Sequence, residues 1–316
     1  MNFQHDAPDD SRFTPEDRAR AARRSTWVSV AVNIVLTTVQ ITVGVFSKSQ
    51  GLIADGIHSL SDLVSDFVVL FAGRHSRRGA DAGHPYGHQR FETAATLVLG
   101  AILLAVGGGM LWSAVGKLED PQSIPRVHGV ALWVAAIALV TKEGLFRYML
   151  AVAQRVRSTM LVANAWHARS DAASSLVVGL GIVGNLMGYP LLDPIAALVV
   201  GVMVAKMGWT FGWGALQDLV DRAAESDEVQ AIERTLAATP GVEGVHDVRT
   251  RRLGDMLAVD AHIEVNATIT VEAGHDIAVR ARQRVLEQHP VLSLMVHVDP
   301  RNRPDLDHAP AQNAAG

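Results

Sequence analysis

The chain has 316 residues, of which 49% are apolar, 19% are charged and none is cysteine. A soluble chain averages about 25% charged residues and reaches its roughly 45–50% apolar share only with glycine included. Here 27 glycines come on top of the 49%, which excludes a disordered chain and argues against an ordinary soluble enzyme. A net charge of −4 leaves no basic footprint for nucleic acid. Without cysteine there are no disulfides, thiolate nucleophiles or thiolate zinc sites, so the 13 histidines are the side-chain nitrogen ligands on offer.

Residues 1–24 are polar, lack the apolar core of a cleavable signal, and read as an N-terminal tail. Six apolar stretches follow, at 26–47, 51–73, 94–116, 127–149, 160–187 and 190–210, each near the roughly 20 residues that cross a bilayer core. They predict a six-helix transmembrane domain over 25–213. Basic residues fall on one side: Arg12, Arg18, Arg20, Arg23 and Arg24 in the tail, Arg74, Arg77, Arg78 and Arg90 after the second span, and Arg147, Arg155 and Arg157 after the fourth. Only Lys48, Lys117 and Arg126 oppose them, which places both termini in the cytoplasm. Asp193-Pro194 reads as an N-cap and first-turn proline opening the sixth span. Gly107, Gly108 and Gly109, with Ala172, Ala173, Ser174, Ser175 and Gly179, suit close helix packing.

Ionisable groups inside a span cost about 2.5–3.5 kcal/mol each on insertion scales and need a reason. The second span holds Asp55, His58, Asp62 and Asp66; the fifth holds His167, Arg169 and Asp171. Two pairs share one pattern, His58-x-x-x-Asp62 and His167-x-x-x-Asp171, and positions i and i+4 lie on one helix face. A lone pair of this kind is most simply a hydrogen bond that ties helices together. Two copies inside apolar spans favour function: facing each other, they make a four-coordinate set of two nitrogens and two oxygens, suited to zinc, cobalt or cadmium. Asp55 and Asp66 lie near the same face as supporting groups. Ligation needs neutral imidazole and ionised carboxylate, so ion binding releases protons. A site open alternately to each side would then carry metal one way and protons the other.

Between the second and third spans, Asp81-Ala-Gly-His84-Pro-Tyr-Gly-His88 is a turn that gathers three candidate ligands, Asp81, His84 and His88. After residue 214 the texture turns soluble and reads helix, strand, strand, helix, strand, a C-terminal α+β domain of ferredoxin-like kind over 214–300. Residues 257–265 alternate, with Val259, Ala261, Ile263 and Val265 inward and Asp260, His262 and Glu264 outward; 292–299 alternate likewise, with Leu292, Leu294, Val296 and Val298 on one face. Helices are expected at 227–238 and 271–288. His246, His262, His275, His297 and Asp299 are candidate ligands on separate elements, although any one alone reads as a surface residue. His5, His75, His128, His289 and His308 have no partner at ligand spacing, and 301–316 reads as a disordered tail.

The run Leu52-Ile-Ala-Asp55-Gly-Ile-His58-Ser-Leu-Ser-Asp62, the loop His84-Pro-Tyr-Gly-His88, the pair His167-x-x-x-Asp171, the stretch Gly244-Val-His246-Asp-Val-Arg-Thr-Arg251 and His297-Val-Asp299-Pro300 together resemble the cation diffusion facilitator family over residues 25–300. The resemblance implies a homodimeric, six-helix divalent-cation/proton antiporter of a bacterial inner membrane, with a cytoplasmic metallochaperone-like domain. It implies a transport site at His58, Asp62, His167 and Asp171, a loop site at Asp81, His84 and His88, and a binuclear site at the dimer interface formed by His246, His262, His275, His297 and Asp299. It also implies a charge pair between subunits at Arg90 and Asp221, with arginine where the family has lysine. Imidazole in place of a carboxylate at His58 shifts preference from manganese towards zinc, with cobalt, cadmium and iron(II) still eligible.

The leading expectation is therefore a zinc/proton antiporter working by alternating access, with the cytoplasmic sites regulating or stabilising the dimer. The alternative is a membrane metal-sensing receptor that binds zinc without moving it. An intramembrane zinc protease would need a His-Glu-x-x-His arrangement, and no His-Glu dipeptide occurs in the chain.

Overall fold

The computed structural model describes residues 15–76, 78–155, 159–254 and 256–301. Arg12, Arg77, Arg157, His5, His308 and the expected tail beyond residue 301 lie outside them, as do the side chains of Arg18, Arg20, Arg23 and Asp66. Six long helices come first: α1 (Pro15–Ser47), α2 (Gln50–Ser76), α3 (Arg90–Glu119), α4 (Val130–Arg155), α5 (Thr159–Leu186) and α6 (Leu192–Leu219). Helix α1 is described from Pro15 onward, so the end of the expected polar tail is helical. Among the described residues, three stretches are long and apolar enough to cross a membrane by length and composition alone: Arg24–Ser47, Arg90–Glu119 and Leu192–Leu219. Helices α2, α4 and α5 are of similar length but carry Asp55 and Asp62, Lys142, Glu143 and Arg147, and Arg169 and Asp171 respectively. Their lower hydropathy comes from polar groups set into otherwise apolar helices.

Burial in the first compact unit (1–71 with 98–212) is inverted relative to a soluble protein. Phe46, Trp112, Trp133 and Val140 are exposed, while Gln40, Asp55, His58, Lys142, Ser174 and Ser175 are buried. Such a surface suits hydrocarbon as solvent, and polar groups within it must face the bundle interior. Trp112 and Trp133 are exposed towards the ends of α3 and α4, where amphipathic rings suit the membrane–water interface.

Helices α3 and α6 meet backbone to backbone. A methyl group on Gly107 would lie 2.6 Å from the Ala205 nitrogen, and one on Gly208 would lie 2.6 Å from the Leu104 nitrogen. Leu99, Leu103 and Val204 bury around this contact. The sequence expectation is corrected for the other glycines, because Gly108, Gly109 and Gly179 face open space. Asp193 is also corrected. Helix α6 begins one residue earlier, at Leu192, and the Asp193 carboxylate caps α2 instead. It accepts hydrogen bonds from Ser49 Oγ at 2.6 Å, the Gln50 amide at 2.7 Å and the Gly51 amide at 3.3 Å. The first amides of a helix lack intrahelical partners, and a carboxylate there meets the positive end of the macrodipole.

The second unit (72–97 with 213–316) contains α7 (Ser226–Ala237), β1 (Gly244–Leu253), β2 (Met256–Val265), α8 (Val271–Gln288) and β3 (Val291–Pro300). The sheet runs β1-β2-β3, with β1 antiparallel and β3 parallel to β2. Thr270 caps α8 by accepting from the Ala273 amide at 3.2 Å. Ile232 and Leu236 of α7, Ala281 and Val285 of α8, and Leu257, Val259 and Ala261 of β2 share one core. The odd-numbered side chains of β2 therefore face the helices, and the even-numbered ones occupy the opposite face of the sheet. One expectation fails on β3. Leu257 pairs with Val291 and Ala258 with Ser293, so Leu292 is the extra residue of a bulge and is exposed, while Val291 takes the inward place.

Candidate metal centres

Three groups of imidazole and carboxylate come together among the described residues. The first lies between α2 and α5. His58 Nδ1 is 3.8 Å from Asp62 Oδ2, and His58 Nε2 is 3.8 Å from Asp171 Oδ1. One ligand atom from each of the three residues falls within 4.8 Å of the others. Both His58 ring nitrogens are buried and make no hydrogen bond. An imidazole buried this way is costly, and 3.8 Å is too long for a hydrogen bond. The two distances run to different ring nitrogens, and an imidazole gives an ion one of them, leaving the other to face the second carboxylate. His167, expected as the fourth ligand, stays outside the group: its side chain is exposed, one turn before Asp171 on α5. Arg169 is turned away as well, stacking its guanidinium 4.9 Å from the Phe146 ring centre and 5.1 Å from that of Trp166.

Beside this group lies a polar node, only part of which was legible in the sequence. Asp55 has no exposed surface and Lys142, on α4, is 2% exposed. Asp55 Oδ1 accepts from Lys142 Nζ at 3.1 Å and Ser174 Oγ at 3.0 Å; Oδ2 accepts from Ser175 Oγ at 2.6 Å and from Gln40 Nε2. Lys142 Nζ also reaches the Asp171 carbonyl at 3.4 Å, which accepts from Ser174 Oγ at 2.8 Å. Ser174 and Ser175 thus serve as donors as well as small residues. A lysine inside the fourth apolar stretch was the available signal.

The second group is in the loop between α2 and α3. Asp81 Oδ1 accepts from the amides of Gly83 (2.9 Å) and His84 (2.7 Å), which closes the turn. The His84 amide in particular holds the Asp81 carboxyl below its ordinary range. Asp81 lies 3.5 Å from His84 Nδ1 and 3.3 Å from His88 Nε2. His88 Nδ1 is 3.1 Å from the Gly79 carbonyl, so as an N–H donor there it leaves Nε2 free to bind an ion. Gly87, at φ +89°, adopts the left-handed backbone that this turn needs. His75, given no role by its spacing, joins the same cluster of rings, 5.7 Å from His88 and 5.0 Å from Phe91.

The third group is a row across the sheet of the second unit. His246 pairs with His262, and His262 with His297, as direct neighbours on three strands. Asp299 serves all three, 3.4 Å from His246 Nε2, 3.0 Å from His262 Nδ1 and 3.2 Å from His297 Nε2. His275 does not join them. It is exposed on α8, which covers the other face of the sheet. Spacing also missed Asp247, whose carboxylate is 3.9 Å from His262 Nε2 at a left-handed residue (φ +46°) in the β1 bulge. His289 instead shares a hydrogen bond of 2.8 Å with Thr235. The Arg90–Asp221 pair forms here within one chain, where the resemblance implied a pair between subunits; Arg90 also donates to the Leu219 carbonyl at 3.3 Å.

A lipid-facing helical domain with a buried imidazole–carboxylate group, joined to an α+β domain bearing a second such group, defines a membrane protein that handles divalent cations. Residues 26–220 match the cation efflux transmembrane domain, and residues 224–301 match the cation efflux protein cytoplasmic domain. The chain belongs to the cation diffusion facilitator family. It is 35% identical over 304 residues to metal tolerance protein 2 of Oryza sativa subsp. japonica, covering 88% of this chain and 78% of the relative. It is 31% identical over 285 residues to the manganese efflux system protein MneS of Bacillus subtilis (strain 168), covering 90% and 97%. Among solved structures it is similar to the metal-bound C-terminal domain of the CzcD transporter from Thermotoga maritima, at 28% identity over 25% of this chain and 93% of that one, with a TM-score of 0.24. The protein is thus an integral membrane transporter for efflux of divalent metal cations, and not an enzyme.

Proposed function

We propose that the protein is a zinc/proton antiporter that works as a homodimer by alternating access, with both termini on the cytoplasmic side of a bacterial inner membrane. The observation that carries the reading is His58, a buried imidazole with both nitrogens lacking hydrogen bonds and a carboxylate 3.8 Å from each. His58, Asp62 and Asp171 form the transport site, and His167, one turn from Asp171, rotates in to complete four-coordination. Two carboxylates match the charge of a dication, and loading the site releases protons from the ligands. The imidazole ligands favour zinc over harder ions such as manganese; the relationship to MneS makes manganese the competing substrate.

The loop set Asp81, His84 and His88 is a second ion site. The row His246, His262 and His297 with Asp299 is the cytoplasmic site, where filling by zinc steadies the dimer. His275 enters that site only through the pairing of two chains. Arg90 and Asp221 hold the base of the second unit together within a chain. The test is zinc uptake into proteoliposomes under an imposed pH gradient, comparing wild type with Asp171→Ala. Gradient-driven uptake that disappears in the variant supports the antiporter and its site. Uptake that survives Asp171→Ala places the site elsewhere. Zinc binding by wild type with no uptake turns the reading towards a receptor.

A further inference from the structure

Asp55 sits three residues before His58 on the helix that supplies two of the transport ligands, yet it is absent from the ligand group. The reason is visible in its contacts. Its oxygens accept from Lys142 and Ser174 on one side and from Gln40 and Ser175 on the other. A carboxylate has about four acceptor positions, and four donors surround these, Ser174 sharing its one proton with the Asp171 carbonyl. Of these donors only Lys142 carries charge, and its Nζ stands between Asp55 (3.1 Å) and the carbonyl of the proposed ligand Asp171 (3.4 Å). Lys142 therefore occupies the place that a cation drawn to Asp55 would take.

We propose that Lys142 is a specificity-determining residue: its ammonium is a tethered cation that withholds the Asp55 carboxylate from the transported ion. The inference rests on the proposed transport site at His58, Asp62 and Asp171. With Lys142 in place, Asp55 adds neither charge nor a ligand, and the ion meets one imidazole on α2 with two carboxylates. Without it, a third carboxylate stands one turn from His58 with an acceptor position open. Extra carboxylate oxygen favours the harder, higher-coordinate ions, manganese over zinc.

The experiment measures manganese and zinc transport by the full chain in proteoliposomes, read as the ratio of their kcat/KM values. Lys142→Met, close in length and uncharged, is expected to raise the manganese-to-zinc ratio by about tenfold, the scale on which neighbours of metal ligands act. Lys142→Arg keeps the charge and is expected to hold the wild-type ratio. Asp55→Asn/Lys142→Met removes the carboxylate together with its partner and is expected to return the ratio to that of wild type. A purely structural role would lower both rates together and leave the ratio alone. An unchanged ratio in folded Lys142→Met overturns the proposal, as does a manganese shift that persists in the double variant. Should Lys142→Met fail to fold, the charge-free double variant decides, and a shift towards manganese there is the refuting result. Asp62→Ala is run alongside. Transport that survives it overturns the site itself, whereas transport lost there with an unmoved Lys142→Met ratio overturns only the role of Lys142.

Discussion

Replacing Asp193 tests whether one carboxylate on α6 holds the start of α2. The side chain is 2% exposed and makes contacts of 2.6 and 2.7 Å to Ser49 Oγ and the Gln50 amide, with a weaker one of 3.3 Å to Gly51. Hydrogen bonds to a charged group contribute about 1.5–3 kcal/mol each, and the two short ones dominate here. Asp193→Ala strands both donors in a site closed to solvent, for a loss of about 3–5 kcal/mol. Asp193→Asn keeps an acceptor and loses the interaction of charge with the helix dipole, a loss of about 1–2 kcal/mol. The order Ala, Asn, wild type should appear in unfolding titrations of the purified protein. A Ser49→Ala/Asp193→Ala cycle should return a coupling of at least about 1 kcal/mol, because the two side chains touch. A stability for Asp193→Ala within about 0.5 kcal/mol of wild type, the range of an unremarkable surface change, would refute the capping role.

Gly208→Ala sets a methyl group 2.6 Å from the Leu104 nitrogen, so α3 and α6 must part; a loss of about 1–3 kcal/mol is expected, while Gly108→Ala, with open space before it, serves as the silent control in the same unfolding assay. In the second unit, His262→Ala removes the middle member of the His246–His262–His297 row and should weaken zinc binding at the cytoplasmic site by at least about tenfold, measured by competition with a chelator. Asp81 tests the loop. Its carboxyl is held below the ordinary range chiefly by the His84 amide, so its support of the turn is complete above the unfolded value of about 3.9 and is lost only as pH falls through the lowered folded value. Between pH 5 and 8 Asp81 stays ionised, so its charge is available to an ion in the proposed loop site across that range. Asp81→Asn should therefore weaken zinc binding at the proposed loop site by a similar factor at pH 6 and pH 8, measured by competition with a chelator.

How much was legible depends on whether a signal repeats. The two His-x-x-x-Asp pairs, the six apolar stretches and the alternation of 257–265 are periodic, and periodicity maps directly onto a helix face or a strand face. The helices α7 and α8 and the strands β2 and β3 accordingly lie within a residue or two of their expected bounds. What failed was local in another sense. Leu292 fits the alternation of β3, but a bulge depends on how a neighbouring strand pairs, and one shifted pair exposes it. Asp193-Pro194 has the composition of a helix start, yet its carboxylate finds better donors on α2, some 140 residues away in sequence. His167 repeats the pattern of His58 and still lies outside the group, because spacing places a side chain on a face without saying what meets that face.

Lys142 shows the same limit from the other side. A single lysine in an apolar stretch has no period, and its meaning comes from Asp55, 87 residues earlier, with which it shares a hydrogen bond of 3.1 Å. The pair sums to zero charge, so the helix bundle can bury it only with geometry that satisfies both members. That requirement fixes α2, α4 and α5 relative to one another at the level of His58 and Asp171, and Gln40 adds α1 to the node. The proposed ligands contribute two carboxylates and one buried imidazole to a dication, while the node beside them contributes rigidity and no net charge. Selectivity in such a site depends as much on which carboxylate is kept out as on which ligands are let in.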